Sequence, residues 1–513
     1  MTVFVRIIIS LFITVACLGC GRRLTHLYQL ESYQLPGYFR SVRRALPSIL
    51  IPSLIVALIG LILSFLGTPI VPSAFIGMVA GCVSWVYDGK RKQKKPFVTT
   101  ERIRRFLAIH SLVAFLLALL FSGGRTILIL PAVEFLILPL SACLAKPFEM
   151  RIANQFVKDA KRRLDTMPNL IRIGITGSYG KTSTKFFLRD ILSVRWNVLA
   201  TPGSFNTTMG VTRVIREMLT GSQDVFIAEM GARHPGDIRE LVDLVHPTIG
   251  ILTSIGPQHL DTFGTVDTVA KTKNELILGL PSGGTAIFAN DGAYCEKLYQ
   301  ECRLEDKWLA GELLQAEDIQ VGPWGTRFLL TDRKSGESIQ CETKVLGKHT
   351  VDNLLLCATA ARRLGLSMKE IGAGISRCQP VEHRLQLISA GSITIIDDAF
   401  NSNPTGAKAA LDILSQFPGR RVIVTPGMVE LGTEEEKYNE EFGRQIAPVC
   451  DIVILVGAKH TAPIAEGLRA MDYPEEKLYI VASFTEAQER MKELLIAGDV
   501  VLYENDLPDN YEG

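Results

Sequence analysis

The stretch IRIGITGSYGKTSTKFFLRD, Ile171 to Asp190, starts as an apolar strand and finishes as a helix. Between the two lies TGSYGKTS, a glycine-rich turn from Thr176 to Ser183. It departs from the strict GxxxxGK[ST] spacing, because Ile175 holds the first glycine place. Gly177 and Gly180 allow successive backbone N–H groups to turn toward phosphate oxygens, and the helix N-terminus adds a favourable dipole. Lys181 has the reach for the β- and γ-phosphates, and the Thr182 hydroxyl suits Mg²⁺. The strand, turn and helix together predict a nucleotide site taking ATP with Mg²⁺, with Thr176, Gly177, Gly180, Lys181, Thr182 and Ser183 around the phosphates.

Upstream of this loop the sequence is of another kind. Five apolar runs, Val3–Leu18, Leu46–Leu66, Ile70–Val86, Phe106–Phe121 and Thr126–Leu144, approach the roughly 20 residues that a helix needs to cross a bilayer. Basic residues fill the first and third connections: Arg22, Arg23, Arg40, Arg43 and Arg44, then KRKQKK at Lys90–Lys95 with Arg102, Arg104 and Arg105. RIANQFVKDAKRR follows the fifth run, whereas GTP at Gly67–Pro69 and SGGR at Ser122–Arg125 carry one arginine between them. The positive-inside rule then sets the N-terminus outside and everything after Leu144 in the cytoplasm. GRRLTHLYQLESYQLPGYFRSVRR reads as a cytosolic loop. Cys17 and Cys20, at the end of an apolar run, read as small buried residues. Glu134 and His110 lie inside apolar runs, where an ionisable group is costly; each is either functional or a hydrogen-bonded member of the bundle.

The whole chain carries 55 Lys and Arg against 53 Asp and Glu, a net charge of +2, which gives no footprint for nucleic acid. Downstream of the loop, strands alternate with helices, the pattern of parallel sheets covered on both faces. DVFIAEMGARHPGDI ends a strand in Glu229, where an α/β sheet presents ligand groups. ILTSIGPQHLDTFG is another such strand, followed by His259, and VAKTKNELI then opens a helix with Lys271 and Lys273. An acid, an imidazole and the loop hydroxyl can hold Mg²⁺ between ATP and a substrate carboxylate. The alternation over Asp318–Val345 reads as β-hairpins.

Eight segments then occur in order: TGSYGKTSTK, TPGSFNTTMG (Thr201–Gly210), AEMGARHPGDI, the His259–Lys273 spacing, GKHTVDN (Gly347–Asn353), EHRL (Glu382–Leu385), DDAFNSNPTGAKAAL (Asp397–Leu411) and PGMVELG (Pro426–Gly432). Together they resemble the Mur ligase family, most closely its D-Ala-D-Ala-adding, MurF-type branch, over roughly Ile171 to Val501. The resemblance implies an ATP-dependent carboxylate–amine ligase working through an acyl phosphate. It implies Lys181 as the phosphate lysine, Thr182 and Glu229 on one Mg²⁺, and His259 near a second. Lys273 matches the position of a carbamylated lysine, with Lys271 as second choice. Asn353 would meet adenine, Arg384 the phosphates and Asp398 the ribose, with Asn401, Asn403, Asn290 and Asp291 lining the same cleft. The catalytic set is then Lys181, His259 and Lys273.

The architecture that follows is α/β in three parts. Residues 1–161 form a multi-span helical membrane anchor with a basic linker, 162–380 the P-loop ATPase domain and 381–513 a smaller Rossmann-like domain. Two departures from the family stand out. Membrane segments occupy the place of the soluble domain that grips the UDP end of the precursor, which suggests a lipid-linked substrate or recruitment to a cell-wall synthesis complex. The tail VVLYENDLPDNYEG reads as acidic where the family is basic, so Glu504, Asp506 and Asp509 suggest an amine lacking an exposed carboxylate. The leading reading joins a cell-wall precursor carboxylate to an amino acid or dipeptide at the membrane. A ligase for another polymer or lipid, and an ATP-sensing scaffold, are the rivals; a sensor needs no second metal position.

Overall fold

The computed structural model describes residues 2–31, 33–44, 46–90, 96–322, 324–399, 402–429 and 431–505. The chain divides into two units, Met1–Gln155 and Phe156–Leu507.

The first unit is helical. Its helices are Val3–Leu30, Leu35–Arg44, Leu46–Phe65, Ile70–Gly89 and Glu101–Phe121, then a 3₁₀ segment Arg125–Val133 that leads into Glu134–Asp165. Four stretches, Val3–Leu30, Ile70–Gly89, Glu101–Phe121 and Arg125–Asp165, are long and apolar enough to cross a membrane, and Ile51–Phe65 is a shorter apolar helix. The segment read as a cytosolic loop is instead largely helical. Val3–Leu30 runs through GRRLTHLYQL without a break, and Leu35–Arg44 is a helix of its own. Arg22 explains the extension: its guanidinium donates to the Trp85 carbonyl at 2.6 Å and lies over the Trp85 ring. The buried ionisable pair also finds its partners. His110 Nε2 is 2.6 Å from Glu134 Oε1, and His110 Nδ1 is 2.9 Å from Ser141 Oγ.

The second unit is built on two sheets. Strands β1 (Ile171–Thr176), β2 (Val198–Ala200), β3 (Val225–Glu229), β4 (Ile249–Leu252), β5 (Thr285–Phe288) and β6 (Lys307–Leu309) form one parallel sheet in the order 2-3-1-4-5-6. Apolar cores cover both faces, which is why β3 and β4 are buried at every residue. The chain leaves β1 to one side for β2 and β3, then crosses to the other for β4. This reversal puts a crevice at the carboxyl ends of β1, β3 and β4. Strands β7 (Leu314–Gly322), β8 (Gly325–Asp332) and β9 (Ser338–Thr343) make an antiparallel sheet, where hairpins were expected.

The second large sheet has strands β10 (Gln386–Ala390), β11 (Ile393–Asp398), β12 (Arg421–Thr425), β13 (Ile452–Val456), β14 (Leu478–Val481) and β15 (Val500–Glu504), in the order 10-11-15-12-13-14. Only β10 pairs antiparallel. The tail reading needs correction here. VVLYE is not an acidic tail but β15, inserted between β11 and β12 and largely buried. Asp506 and Asp509 lie outside the described residues.

Candidate active site

The phosphate loop is held from below by the segment after β4. Ser178 Oγ donates to the Gly256 carbonyl at 3.0 Å, Tyr179 Oη to that of Pro257 at 2.6 Å, and Thr253 Oγ1 to the carbonyls of Thr176 (3.1 Å) and Tyr179. Two glycines are required by this arrangement. A Cβ on Gly177 would sit 1.9 Å from Thr253 Oγ1, and Gly180 adopts φ +80°, where a Cβ would come within 2.7 Å of Asn353 Oδ1. Gly180 then caps the helix Lys181–Leu192, whose first N–H groups face the crevice edge.

Glu229, at the end of β3, is the anionic centre. Thr182 Oγ1 lies 3.1 Å from each of its carboxylate oxygens. Asn206 Nδ2 donates to Oε1 at 3.0 Å, and Lys185 Nζ donates to Oε2 at 2.9 Å and to the Gly203 carbonyl. Lys185 and Asn206 are absent from the sequence-based set. TSTK gives no sign that its lysine turns inward. Its four-residue spacing from Lys181, which puts both on one helix face, is the signal that could have found it.

Positive charge is in excess around Glu229. Lys181 is half-buried, donating to the carbonyls of Gly177 (2.6 Å) and Ser178 (2.9 Å). Burial takes it from 10.5 down to about 8, with Glu229 opposing the shift and Arg384 adding to it. Lys273, almost fully buried, is driven well below its ordinary value by burial and then by Lys181. Arg384 is lowered by burial, with Asp398, Glu229 and Glu504 opposing. Lys181, Lys185, Lys273 and Arg384 all lie in the field of Glu229, and a cluster of cations of this kind suits an anionic ligand. Among the described residues no three His, Cys, Asp or Glu side chains gather as metal ligands. Mg²⁺ is commonly held by one or two protein groups with phosphate and water. Thr182 and Glu229, 3.1 Å apart, could supply two such groups.

The remaining predicted residues are spread around this centre. The Thr176 hydroxyl is buried and donates to the Met230 carbonyl at 2.8 Å, fixing the strand end rather than facing phosphate. Ser183 occupies the first turn of the loop helix. Asn353 lies against Gly180 and accepts from Thr184 Oγ1 at 3.3 Å, beside the phosphate turn. His259 stands half-buried before the short helix Leu260–Phe263, at φ +51°. Lys271 is exposed, two residues before the buried Lys273 on the same helix. Asn290 is exposed after β5, and Asp291 caps the next turn by accepting from the N–H groups of Ala293 and Cys295. Asp398 Oδ1 accepts from the Leu385 N–H at 3.1 Å, and Asn403 caps the helix Pro404–Leu414. Asn401 lies outside the described residues.

Comparison with known proteins now bears on this geometry. Residues 175–361 match the Mur ligase middle domain, and residues 383–503 match the family described as Mur ligase, glutamate ligase domain. The chain is 30% identical over 338 residues to the UDP-N-acetylmuramoyl-tripeptide–D-alanyl-D-alanine ligase of Bacillus subtilis strain 168, covering 64% of this chain and 72% of that relative. It belongs to the Mur ligase family. Among solved structures, MurF from Acinetobacter baumannii superimposes with a TM-score of 0.63 at 26% identity, covering 69% of this chain and 77% of that one. MurF from Thermotoga maritima, solved in complex with ADP, shares the fold, with a TM-score of 0.61 at 23% identity and coverage of 69% and 80%. Mur ligases are ATP-dependent ligases that work with Mg²⁺. The apolar helices of the first unit lie outside both matched domains.

Proposed function

We propose that this Mur ligase is a membrane-anchored, MurF-type enzyme joining the carboxylate of a cell-wall peptide precursor to an amino acid or dipeptide amine. Residues 1–161 are the anchor, 162–380 the ATP-binding domain and 381–513 the domain that brings the amine. The apolar helices of the first unit and the basic connections of the sequence support catalytic domains on the cytoplasmic side. A lipid-linked acceptor or a place in a synthesis complex fits that location.

The observation that carries the reading is Lys181, Thr182 and Glu229 at the carboxyl edge of a sheet like that of MurF. ATP transfers its γ-phosphoryl group to the substrate carboxylate, and the resulting acyl phosphate is attacked by the amine with release of phosphate. Lys181 and Arg384 offset charge on the phosphoryl oxygens, where pre-positioned cations act most strongly. Bound Mg²⁺ supplies further charge neutralisation there. Thr182 and Glu229 would hold it, His259 and Lys273 would stand near a second ion, and Lys185 with Asn206 keeps the Glu229 carboxylate oriented. The depth of Lys273 suits a carbamate, which would exchange a cation for an anionic ligand and register in intact-protein mass as one added CO₂. Asn353, Asp398, Asn401 and Asn290 would contact the nucleoside.

The test uses the full chain in detergent with ATP and Mg²⁺. ADP release that needs both a muramoyl-peptide precursor, lipid-linked or UDP-linked, and an amine, and that is lost in Lys181→Ala, is the expected result. ADP release indifferent to both substrates defeats the ligase reading. Resistance of the full chain to alkaline extraction from membranes tests the anchor.

A further inference from the structure

The chain passes from the sheet of β1 to the second large sheet within five residues. Val381 packs against a core of the first sheet, whereas Leu385 belongs to the core of the second. Between them lie Glu382, His383 and Arg384. The Arg384 N–H donates to the Val381 carbonyl at 3.0 Å, which closes residues 381–384 into a turn with His383 in its third place. His383 has φ +57° and Leu385 φ +48°. A left-handed third place is one that glycine ordinarily fills, and a leucine in that region is rarer still. Arg384 therefore stands between two residues whose backbone must be held in place from outside.

The end of β11 supplies both holds. β10 and β11 form an antiparallel pair in which Gln386 and Asp397 are register partners, so the last residues of β11 return beside the turn. His383 Nδ1 donates to Asp397 Oδ2 at 2.7 Å, since a carboxylate oxygen only accepts. The Leu385 N–H donates to Asp398 Oδ1 at 3.1 Å. The other Asp397 oxygen accepts from the Ala399 N–H at 3.2 Å, which fixes that carboxylate to its own strand end. Asp397 is largely buried and His383 half-exposed, so the anchor lies on the strand and the turn is tied to it. Each left-handed residue has its own tie to β11, one on either side of Arg384.

We propose that the His383–Asp397 contact positions Arg384: it keeps the turn in the left-handed conformation from which the guanidinium meets the nucleotide phosphates. This rests on the phosphate role given to Arg384 above and adds two residues that have had no role. An arginine loses much side-chain freedom when it binds, and fixing the backbone on both sides of it reduces what must be ordered at that moment. A glycine in place of His383 would take φ +57° without strain; histidine takes it because Asp397 holds the ring.

The experiment is calorimetric titration of the full chain in detergent with Mg²⁺ and the non-hydrolysable ATP analogue AMPPCP. His383→Ala is expected to weaken binding roughly tenfold, the scale of one strained residue left unsupported. His383→Gly should recover most of that loss. In an Arg384→Ala background, which by itself weakens AMPPCP, His383→Ala should have no further effect. A His383→Ala loss that keeps its full size without Arg384 would mean a general loosening of the junction and overturns the proposal. Unaltered affinity in His383→Ala overturns it as well, as does a His383→Gly variant no better than His383→Ala. Should His383→Ala fail to fold, Asp397→Asn, which weakens the same contact by removing its charge, carries the same expectations. AMPPCP affinity unaltered in Arg384→Ala would remove the phosphate role of Arg384 and this proposal with it, whereas a loss in Arg384→Ala alone strikes only the His383–Asp397 tie.

Discussion

Lys185 Nζ lies 2.9 Å from Glu229 Oε2, and both side chains are sealed from solvent. The pair joins three parts of the site: the loop helix, the end of β3 and the turn at Gly203. A buried carboxylate that loses its cation is left uncompensated, which costs roughly 3–5 kcal/mol. Lys185→Met is therefore expected to lower the unfolding temperature of the full chain in detergent, measured without nucleotide. Mg²⁺ with AMPPCP should recover part of the loss by returning positive charge to Glu229. Lys185→Arg should keep most of the stability but shift the Mg²⁺ concentration needed for half-maximal ADP release. An unaltered unfolding temperature in Lys185→Met would remove the pair from the account of this site.

Gly180 gives a second, sharper test, since its φ of +80° and its closeness to Asn353 act together. An L-residue in this left-handed region costs roughly 1–2 kcal/mol, and the added methyl also displaces the Asn353 amide. Gly180→Ala should keep the fold and weaken ATP binding by at least tenfold, read by titration with AMPPCP. Gly221 is a suitable control, because it borders no part of the loop and has open space where a Cβ would go. Gly221→Ala should leave that affinity unchanged.

Much of the second unit was readable because its signals are local. Ile171–Thr176 is a strand and Lys181–Leu192 a helix, as the apolar run and the glycine turn require. What escaped depends on distant parts of the chain. Lys185 is buried only because the Gly203 turn closes over it, and nothing within TSTK encodes that closure. Arg22 and Arg23 look like the start of a loop, yet Arg22 bonds to a carbonyl 63 residues away and the helix continues. Glu504 looks like part of an acidic tail, but the apolar VVLY before it enters the middle of a sheet whose other strands lie about a hundred residues upstream or nearer. The His110–Glu134 pair was legible as an anomaly; its resolution needed two helices brought together.

The helix crossing in the first unit turns on small residues. A Cβ on Gly81 would sit 2.7 Å from Ala16 Cα, and one on Gly19 would overlap the Gly81 carbonyl. Glycine at both crossing points lets the two backbones approach this closely. Gly81→Val should force Val3–Leu30 and Ile70–Gly89 apart and lower the unfolding temperature in detergent. Gly77→Val, on the same helix but with open space at its Cβ, should have a much smaller effect. Equal effects of the two would show that the crossing does not set the stability of the bundle.

His349 supplies the pH dependence. It lies at the start of the helix Lys348–Arg363, behind Gly347, which also abuts Ile413 of the following domain. Burial lowers it from 6.5 to about 4, so the folded chain keeps it neutral where the unfolded chain protonates it. Between these values the unfolded state binds more protons, and stability must fall as pH drops through that window. The full shift corresponds to about 3 kcal/mol as an upper limit, because the ring is only partly enclosed. Thr350 Oγ1, 3.5 Å from Nε2, is too distant to offset much of it. The unaltered protein should lose unfolding temperature steadily from pH 6.5 to 4.5, and His349→Asn should flatten that segment of the profile while leaving values at pH 8 nearly the same. Parallel profiles for the two proteins would mean that the acid sensitivity arises elsewhere.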